Sequence, residues 1–129
     1  MSADAGPGQA LLLSLGHVTV RSADPERTRR FYVDLLGMRV GPRPAIPVPG
    51  YWFYVGSEAV LHVLPRQDGV ASGAQGSIDH FALKAENRLA FEQRLRAAGQ
   101  PYESRRLADT DAWQIFLDDP DGARVELIF

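Results

Sequence analysis

Three histidines and one glutamate stand in short apolar runs typical of β-strands. His17, His62 and His80 are the only histidines of the chain, and each has strand-forming neighbours. Glu126 occupies the same setting in the last run of the sequence. Imidazole nitrogens and carboxylate oxygens are ligands for divalent transition metals. The pattern therefore predicts a metal site built from these four side chains.

The neighbours of these residues indicate which way they point. Successive side chains of a strand face opposite sides of the sheet. His62 alternates with Leu61 and Val63, and the other three candidates alternate with large apolar residues in the same way. For any one histidine, a place on a solvated sheet face is the plainer interpretation. For all four, we expect the apolar side to pack under a helix and the ligands to face the space that the sheet curves around.

These strands belong to a unit that the chain uses twice, each copy consisting of a strand, a helix and three strands. In the first copy, Asp24 and Pro25 are typical of a helix start and Gly37 of its end. The predicted strands of this copy are 12–20, 38–41, 51–55 and 60–64. In the second copy, Asn87 begins a helix that ends at Gly99, and the predicted strands are 78–84, 102–106, 113–118 and 123–129.

The two copies align at an offset of about 62 to 64 residues, which places His17 on His80 and His62 on Glu126. The same alignment places Tyr54 on Phe116. We predict an α+β fold with a single domain over about 11–129, in which module 1 covers about 11–66 and module 2 about 77–129. Residues 1–10 are predicted to be a disordered arm, and the Gly-, Ala- and Ser-rich linker 66–77 to be mobile.

Composition excludes several classes of function. The chain has 129 residues, a net charge of -2 and no cysteine, so thiolate ligands and disulfides are excluded. Scattered arginines and a pI near 5.9 argue against a nucleic-acid partner. The sequence contains no apolar run long enough for a membrane span and no signal-peptide pattern. We therefore expect no membrane partner and a cytoplasmic location.

Aromatic and polar residues on a neighbouring strand of each copy are predicted to line a pocket beside the ligands. Trp52 and Tyr54 share one face of their strand, and Gln114 and Phe116 share the matching face in the second copy. Aromatic walls with a few polar groups are typical of small-molecule sites. Tyr54 is our candidate for a hydrogen-bond donor to substrate. Arg43, in the proline-rich segment 41–50, is a candidate contact for an anionic substrate, with a plain surface loop as the alternative.

These motifs resemble the vicinal oxygen chelate superfamily, which includes glyoxalase I, extradiol dioxygenases, fosfomycin-resistance transferases and bleomycin-resistance proteins. The resemblance rests on the His17 strand, the helix 28–37, the strand containing His80, and the closing segment 119–127. It implies two tandem βαβββ modules that form a U-shaped, partly open mixed β-barrel with the helices outside. A divalent metal would lie inside, and a homodimer is expected.

Carried over residue by residue, the resemblance places His17, His80 and Glu126 at ligand positions shared by most metal-dependent members. His62 stands where glyoxalase I has a glutamate. Glyoxalase I moves a proton with carboxylates at both strand-end positions, whereas only Glu126 is a carboxylate here. Glyoxalase I activity itself is therefore not expected.

Two arrangements of the metal remain open. If His17, His80 and Glu126 hold iron(II), His62 is free to act as an acid or base on a catechol-like hydroxyl. If all four side chains bind, the metal acts as a Lewis acid toward a carbonyl or enolate. Fe²⁺ is favoured, while Zn²⁺, Mn²⁺, Ni²⁺ and Co²⁺ also suit these ligands.

The leading prediction is thus a metal-dependent enzyme, either a ring-cleaving dioxygenase or a lyase/isomerase, acting on a small substrate with vicinal oxygens. The alternatives are a fosfomycin-resistance-like transferase and a metal-free, drug-binding dimer like the bleomycin-resistance proteins. Four candidate ligands argue against the metal-free binder, which has no need of them.

Overall fold

The computed structural model of the protein describes residues 14–45, 47–66, 78 and 80–129. It contains two helices and eight strands in the described parts of the chain. Module 1 consists of β1 (Val18–Ser22), α1 (Pro25–Arg29) with a π-helical continuation (Arg30–Leu35), β2 (Arg39–Gly41), β3 (Tyr51–Val55) and β4 (Glu58–Pro65). Module 2 consists of β5 (Phe81–Lys84), α2 (Arg88–Ala97), β6 (Glu103–Arg106), β7 (Trp113–Asp118) and β8 (Arg124–Ile128).

Each module forms one mixed four-stranded sheet of the same topology. The strand orders are β1-β4-β3-β2 and β5-β8-β7-β6. The first strand of each module pairs parallel with the last, and the remaining pairs are antiparallel. The predicted α+β fold of two βαβββ modules is confirmed. The two sheets do not close into a barrel.

The helices begin and end where local sequence signals predicted. Asp24 caps α1 by accepting a hydrogen bond from the Arg27 amide, and Asn87 caps α2 by accepting one from Ala90. Gly37 and Gly99, which follow the two helical segments, have φ values of 89° and 67°. Such positive φ values favour glycine at the end of a helix. No helix in the described part of the chain is long and apolar enough to cross a membrane.

One apolar core joins the modules and covers a single face of each sheet. Phe53 and Leu61 from module 1 and Ile115 and Val125 from module 2 are fully buried in it. Tyr32, from the helical segment of module 1, packs against Phe53 with ring centroids 6.0 Å apart. The opposite face of each sheet therefore remains available for a site.

The structure corrects the predicted limits of the two strands that carry His17 and His80. Each histidine lies directly before its strand, because the ladders begin at Val18 and Phe81. His17 and His80 lie two residues before Thr19 and Ala82, respectively. With the two-residue period of a strand, each histidine therefore lies on the same face of its sheet as Thr19 or Ala82. The predicted arm 1–10, most of the linker 66–77, and the residues Ile46 and Asp79 lie outside the described residues.

Gly50 allows the proline-rich segment to pass close to β4. A Cβ atom at Gly50 would lie 2.2 Å from the carbonyl oxygen of Val63, whereas a Cβ atom at Gly16 would meet none of the described residues within 4 Å. We expect Gly50→Ala to lower the free energy of unfolding by about 1–3 kcal/mol, because the backbone must shift. Gly16→Ala serves as the control and should change it by less than about 0.5 kcal/mol. Urea denaturation measures both, and equal midpoints for the two variants would contradict the prediction.

Candidate functional site

In module 2, His80 and Glu126 are in direct contact. His80 Nε2 lies 3.2 Å from Glu126 Oε2. Gln114 donates a hydrogen bond from Nε2 to the other carboxylate oxygen, Oε1, at 2.7 Å. Glu126 is buried, with 6% of its surface exposed. A buried carboxylate is therefore oriented by Gln114 on one side and presents its second oxygen to an imidazole on the other.

In module 1, the two predicted ligands stack face to face. The rings of His17 and His62 are 3.8 Å apart between centroids, with an angle of 11° between their planes. Trp52 stacks on the other side of His62 at 4.0 Å and 10°. Burial lowers the pKa of His62, and the neighbouring His17 and Arg43 lower it further, against a hydrogen bond involving Ala59 that raises it.

The two pairs occupy equivalent places in the two modules. His62 pairs with Thr19 in the parallel ladder, and Glu126 pairs with Ala82. Each histidine that precedes a first strand is therefore the diagonal neighbour of the candidate ligand on the last strand. The internal repeat thus produces two half-sites with the same backbone placement, one with two imidazoles and one with an imidazole and a carboxylate.

The edge strands of the two sheets lie on either side of a cavity. β1 and β5 both line a cavity of about 110 Å³ that His17 and Ala82 border. Most of the remaining lining is apolar, with Met38, Leu61 and Phe81 among its members. The candidate ligands lie in four places: His17 directly before β1, His62 on β4, His80 directly before β5, and Glu126 on β8.

The side chains form two pairs and not one cluster. Among the residues that the structure describes, no group of three or more His, Asp or Glu side chains could hold a metal ion together. The donors fit a divalent metal by their chemistry, because three imidazoles and one carboxylate are a suitable ligand set. A shared site would also require the two pairs to approach each other across the gap between β1 and β5.

The predicted pocket residues differ in how they contact the pairs. Trp52 contacts His62, Gln114 contacts Glu126, and the Phe116 ring lies edge-on to His80 with centroids 6.0 Å apart. Phe116 is the ladder partner of Glu126, as Trp52 is of His62. Trp52, and not Tyr54 as the sequence alignment of the copies indicated, therefore holds the position that matches Phe116. The hairpin turns differ in length, because the paired strand ends Val55 and Glu58 are closer along the chain than Asp118 and Arg124, and β3 also changes register between Phe53 and Val55.

Tyr54 and Arg43 make local contacts. The Tyr54 hydroxyl donates a hydrogen bond to the Pro42 carbonyl at 2.5 Å, so it would have to leave that partner to reach a substrate. Arg43 donates from Nη2 to the Val48 carbonyl at 3.0 Å, within its own loop. Its positive charge also lowers the pKa of His62.

Two arginines that sequence analysis did not single out lie on the same face as Glu126. Arg124 is two residues before Glu126 on β8, and Arg105 on β6 is the ladder partner of Gln114. Strand alternation alone places Arg124 on this face, without assigning it a role. Arg105 could not have been found in this way, because its position depends on the register between β6 and β7.

The chain matches the family model of the glyoxalase/bleomycin resistance protein/dioxygenase superfamily over residues 14–127. It belongs to this superfamily. The match spans both modules, in agreement with the resemblance that the sequence motifs indicated. No protein with a curated description is significantly similar to the chain.

Solved structures confirm the fold of the superfamily member. A glyoxalase family protein from Bacillus anthracis has 24% identity and a TM-score of 0.74, with 92% of this chain and 96% of that chain covered. A lactoylglutathione lyase from Agrobacterium tumefaciens has 19% identity and a TM-score of 0.67, with coverages of 89% and 92%. An antibiotic-binding protein from Streptomyces sp. CB03234 has 19% identity and a TM-score of 0.67, with coverages of 92% and 96%. At these identities the likeness extends to the fold and not to activity.

Proposed function

We propose that this superfamily member is a metal-dependent enzyme that acts on a small substrate with two neighbouring oxygens. The observation that carries the proposal is the contact between His80 and Glu126 at 3.2 Å. His17 and His62 repeat this arrangement at the equivalent register of module 1. Two donor pairs in equivalent places on facing strands are what a site shared between the modules requires.

The proposed cofactor is one divalent metal, with Fe²⁺ favoured over Zn²⁺, Mn²⁺, Ni²⁺ or Co²⁺. His17, His80 and Glu126 would hold it, and His62 is either the fourth ligand or a free acid/base. When bound, such a metal supplies Lewis acidity toward the substrate oxygens and, as iron(II), reactivity toward dioxygen. The reaction classes proposed are ring-cleaving dioxygenation and lyase or isomerase chemistry.

The surrounding residues would bind the substrate and exclude water from it. Gln114 holds one oxygen of Glu126, which fixes the orientation of the carboxylate. Trp52 and Phe116 form aromatic walls beside the two pairs. The apolar cavity between β1 and β5 offers room for a small apolar part of the substrate. Glyoxalase I activity is not proposed, because His62 replaces the second carboxylate which that chemistry uses.

A second copy of the chain is the proposed protein partner. Leu15 and Ile78 are 80% and 78% exposed, and they lie two residues before His17 and His80, respectively. Exposed apolar side chains at equivalent places of both modules favour an interface there. A homodimer that covers them would also shield the two histidines from water.

Metal binding can be tested through Trp52, because its ring stacks on His62. The chain has two tryptophans, so Trp113→Phe leaves Trp52 as the sole indole. We expect Zn²⁺, and Fe²⁺ under anaerobic conditions, to change the Trp52 emission with saturation at one metal per site. The physical reason is that a metal bound to the imidazoles alters the stack. Elemental analysis after dialysis measures the retained metal independently.

His80→Ala in the same background is the decisive variant. His80 lies in the other module and does not stack on Trp52, so losing the emission change in this variant requires a site shared by both modules. If emission responds equally in the variant, the two pairs do not share a metal. If neither emission nor elemental analysis detects a metal with any of the divalent ions, the enzyme proposal fails.

A metal-free binder of aromatic drugs is the second candidate. The stack of Trp52, His62 and His17 is a flat surface on which a planar ligand could extend the series. The division of the candidate ligands into two pairs also suits this function. Saturable binding of an aromatic drug to metal-free protein, without metal binding at the pairs, would favour this candidate.

A further inference from the structure

We propose that Arg105 and Arg124 form a subsite for a carboxylate group of the substrate, beside the His80/Glu126 pair. The inference deepens the proposed function by giving the substrate class, a small molecule that carries an anionic carboxylate in addition to its chelating oxygens. It therefore rests on the proposed function for the chemistry that follows binding. The subsite itself is argued from contacts that involve no metal.

Sheet register places both arginines on the face of the site. Arg105 pairs with Gln114, which hydrogen-bonds to Glu126. Arg124 precedes Glu126 by two residues on the same strand, so the two side chains share a face. Residues brought together from β6 and β8 thus flank the β7 side chains that contact the His80/Glu126 pair.

Phe116 connects the two arginines to the pair. The guanidinium carbons of Arg105 and Arg124 lie 4.7 Å and 5.0 Å from the centroid of its ring. The same ring is edge-on to His80 at 6.0 Å. A group bound by the arginines would therefore be separated from His80 by about the width of one aromatic ring, a distance that a small substrate can span.

The arginines also contact the same acidic side chain. Arg105 Nη2 and Arg124 Nη2 lie 3.5 Å and 3.7 Å from the same atom, Oε2 of Glu103. Each guanidinium has five N–H donors, so one carboxylate oxygen at these distances uses little of their capacity. Both contacts involve exposed side chains and contribute little to stability. Since a carboxylate already approaches both cations, a substrate carboxylate can replace or join it with better geometry.

Other charged groups on this face are compatible with an anion. Asp118 is the ladder partner of Arg124 and is exposed to solvent, where water screens its charge. Glu126 is buried, and its two oxygens face His80 and Gln114. Lys84, the ladder partner of Ile128, adds a positive charge to the same face. The two guanidiniums with Glu103 carry one net positive charge, which a substrate carboxylate would neutralise.

Benzoate, with neutral benzyl alcohol as the matched control, is the probe for this subsite. The experiment uses the full chain after chelator treatment and follows the arginine Nε–Hε signals by NMR. We expect benzoate to shift the signals of Arg105 and Arg124, and benzyl alcohol to leave them unchanged. Arg105→Gln and Arg124→Gln should each weaken benzoate binding about tenfold or more, as expected for loss of a hydrogen bond between charged groups.

Two further variants make the test specific. Arg106 follows Arg105 on β6 but pairs with Trp113 on the opposite face, so Arg106→Gln should leave binding unchanged. Glu103→Gln removes the competing carboxylate and should tighten binding. Equal binding by wild type, Arg105→Gln and Arg124→Gln, or equal binding of benzyl alcohol, would overturn the subsite. The benzoate measurements use metal-free protein, so their result does not depend on metal binding. If benzoate binds but the chain binds no metal, the carboxylate subsite is supported and the enzyme proposal fails.

Discussion

Replacing Glu126 by glutamine is expected to abolish tight metal binding while leaving the fold intact. The substitution keeps the size of the side chain and an oxygen for Gln114, but it removes the only negative charge among the four candidate ligands. A divalent ion bound by neutral groups alone loses its main electrostatic partner. We expect the affinity for metal to fall at least about 100-fold, which corresponds to about 2.7 kcal/mol.

Chelator competition measures the affinity, and urea denaturation shows whether the variant is folded. The free energy of unfolding should change by less than about 1 kcal/mol, because a buried charge is exchanged for a neutral group of similar shape. Glu103→Gln is the matched control, since Glu103 lies on the same face but its side chain is 63% exposed. Unchanged metal affinity in Glu126→Gln would exclude Glu126 as a ligand and contradict the proposed metal site.

Removing the carboxylate of Asp119 is expected to cause a large loss of stability. Asp119 is buried and accepts hydrogen bonds from the Tyr32 hydroxyl at 2.8 Å and from the amides of Asp121 and Ala123 at 2.9 Å and 2.8 Å. These bonds shape the turn before β8 and attach it to the helical segment of module 1. Asp119→Ala leaves two buried donors and one part-buried donor without this acceptor, and we expect a cost of about 3–5 kcal/mol.

The adjacent Asp118 provides a control of identical chemistry. It is exposed, so Asp118→Ala should change the free energy of unfolding by less than about 0.5 kcal/mol. Chemical denaturation near neutral pH compares the two variants. Similar stability of Asp119→Ala and Asp118→Ala would show that the turn is not attached to module 1 through this carboxylate.

The hydrogen bond between Tyr32 and Asp119 also predicts a loss of stability in alkaline solution. Burial raises the pKa of Tyr32 well above its usual value, and the charge of Asp119 raises it further. The folded state therefore keeps the proton when an unfolded tyrosine loses it, above about pH 10. Since the unfolded state then binds fewer protons, stability falls as the pH rises. Tyr32→Phe removes this contribution, so the difference in stability between wild type and variant should shrink above about pH 10.

Features that depend on a few neighbouring residues were predictable from sequence. Helix ends are one example: Asp24 and Asn87 cap the two helices, and a glycine follows each. These residues act within one helical turn, so they can be predicted without knowledge of the tertiary structure. Strand alternation predicted that His62 lies opposite the buried Leu61 and Val63, as the structure shows. The tandem repeat predicted the number and order of strands, because each module forms its own sheet.

Register, in contrast, was decided only by the tertiary structure. The register gives Trp52 the place beside His62 that Phe116 has beside Glu126, whereas the sequence alignment of the copies matched Tyr54 with Phe116. Pairing of β6 with β7 brings Arg105 to Gln114, and packing between modules brings Tyr32 to Asp119. Such contacts join residues distant along the chain, and their geometry depends on turn lengths, bulges and core packing.

Sequence patterns predicted the superfamily fold, the four candidate ligands, and the face of the sheet on which these side chains lie. Residue type and the two-residue period of a strand are local properties, so both were available from sequence alone. The arrangement of the candidate ligands in two pairs, His17 with His62 and His80 with Glu126, is visible only in the folded protein. The two pairs belong to different sheets, and the distance between the pairs depends on how these sheets pack across the shared core. No local sequence pattern specifies that packing.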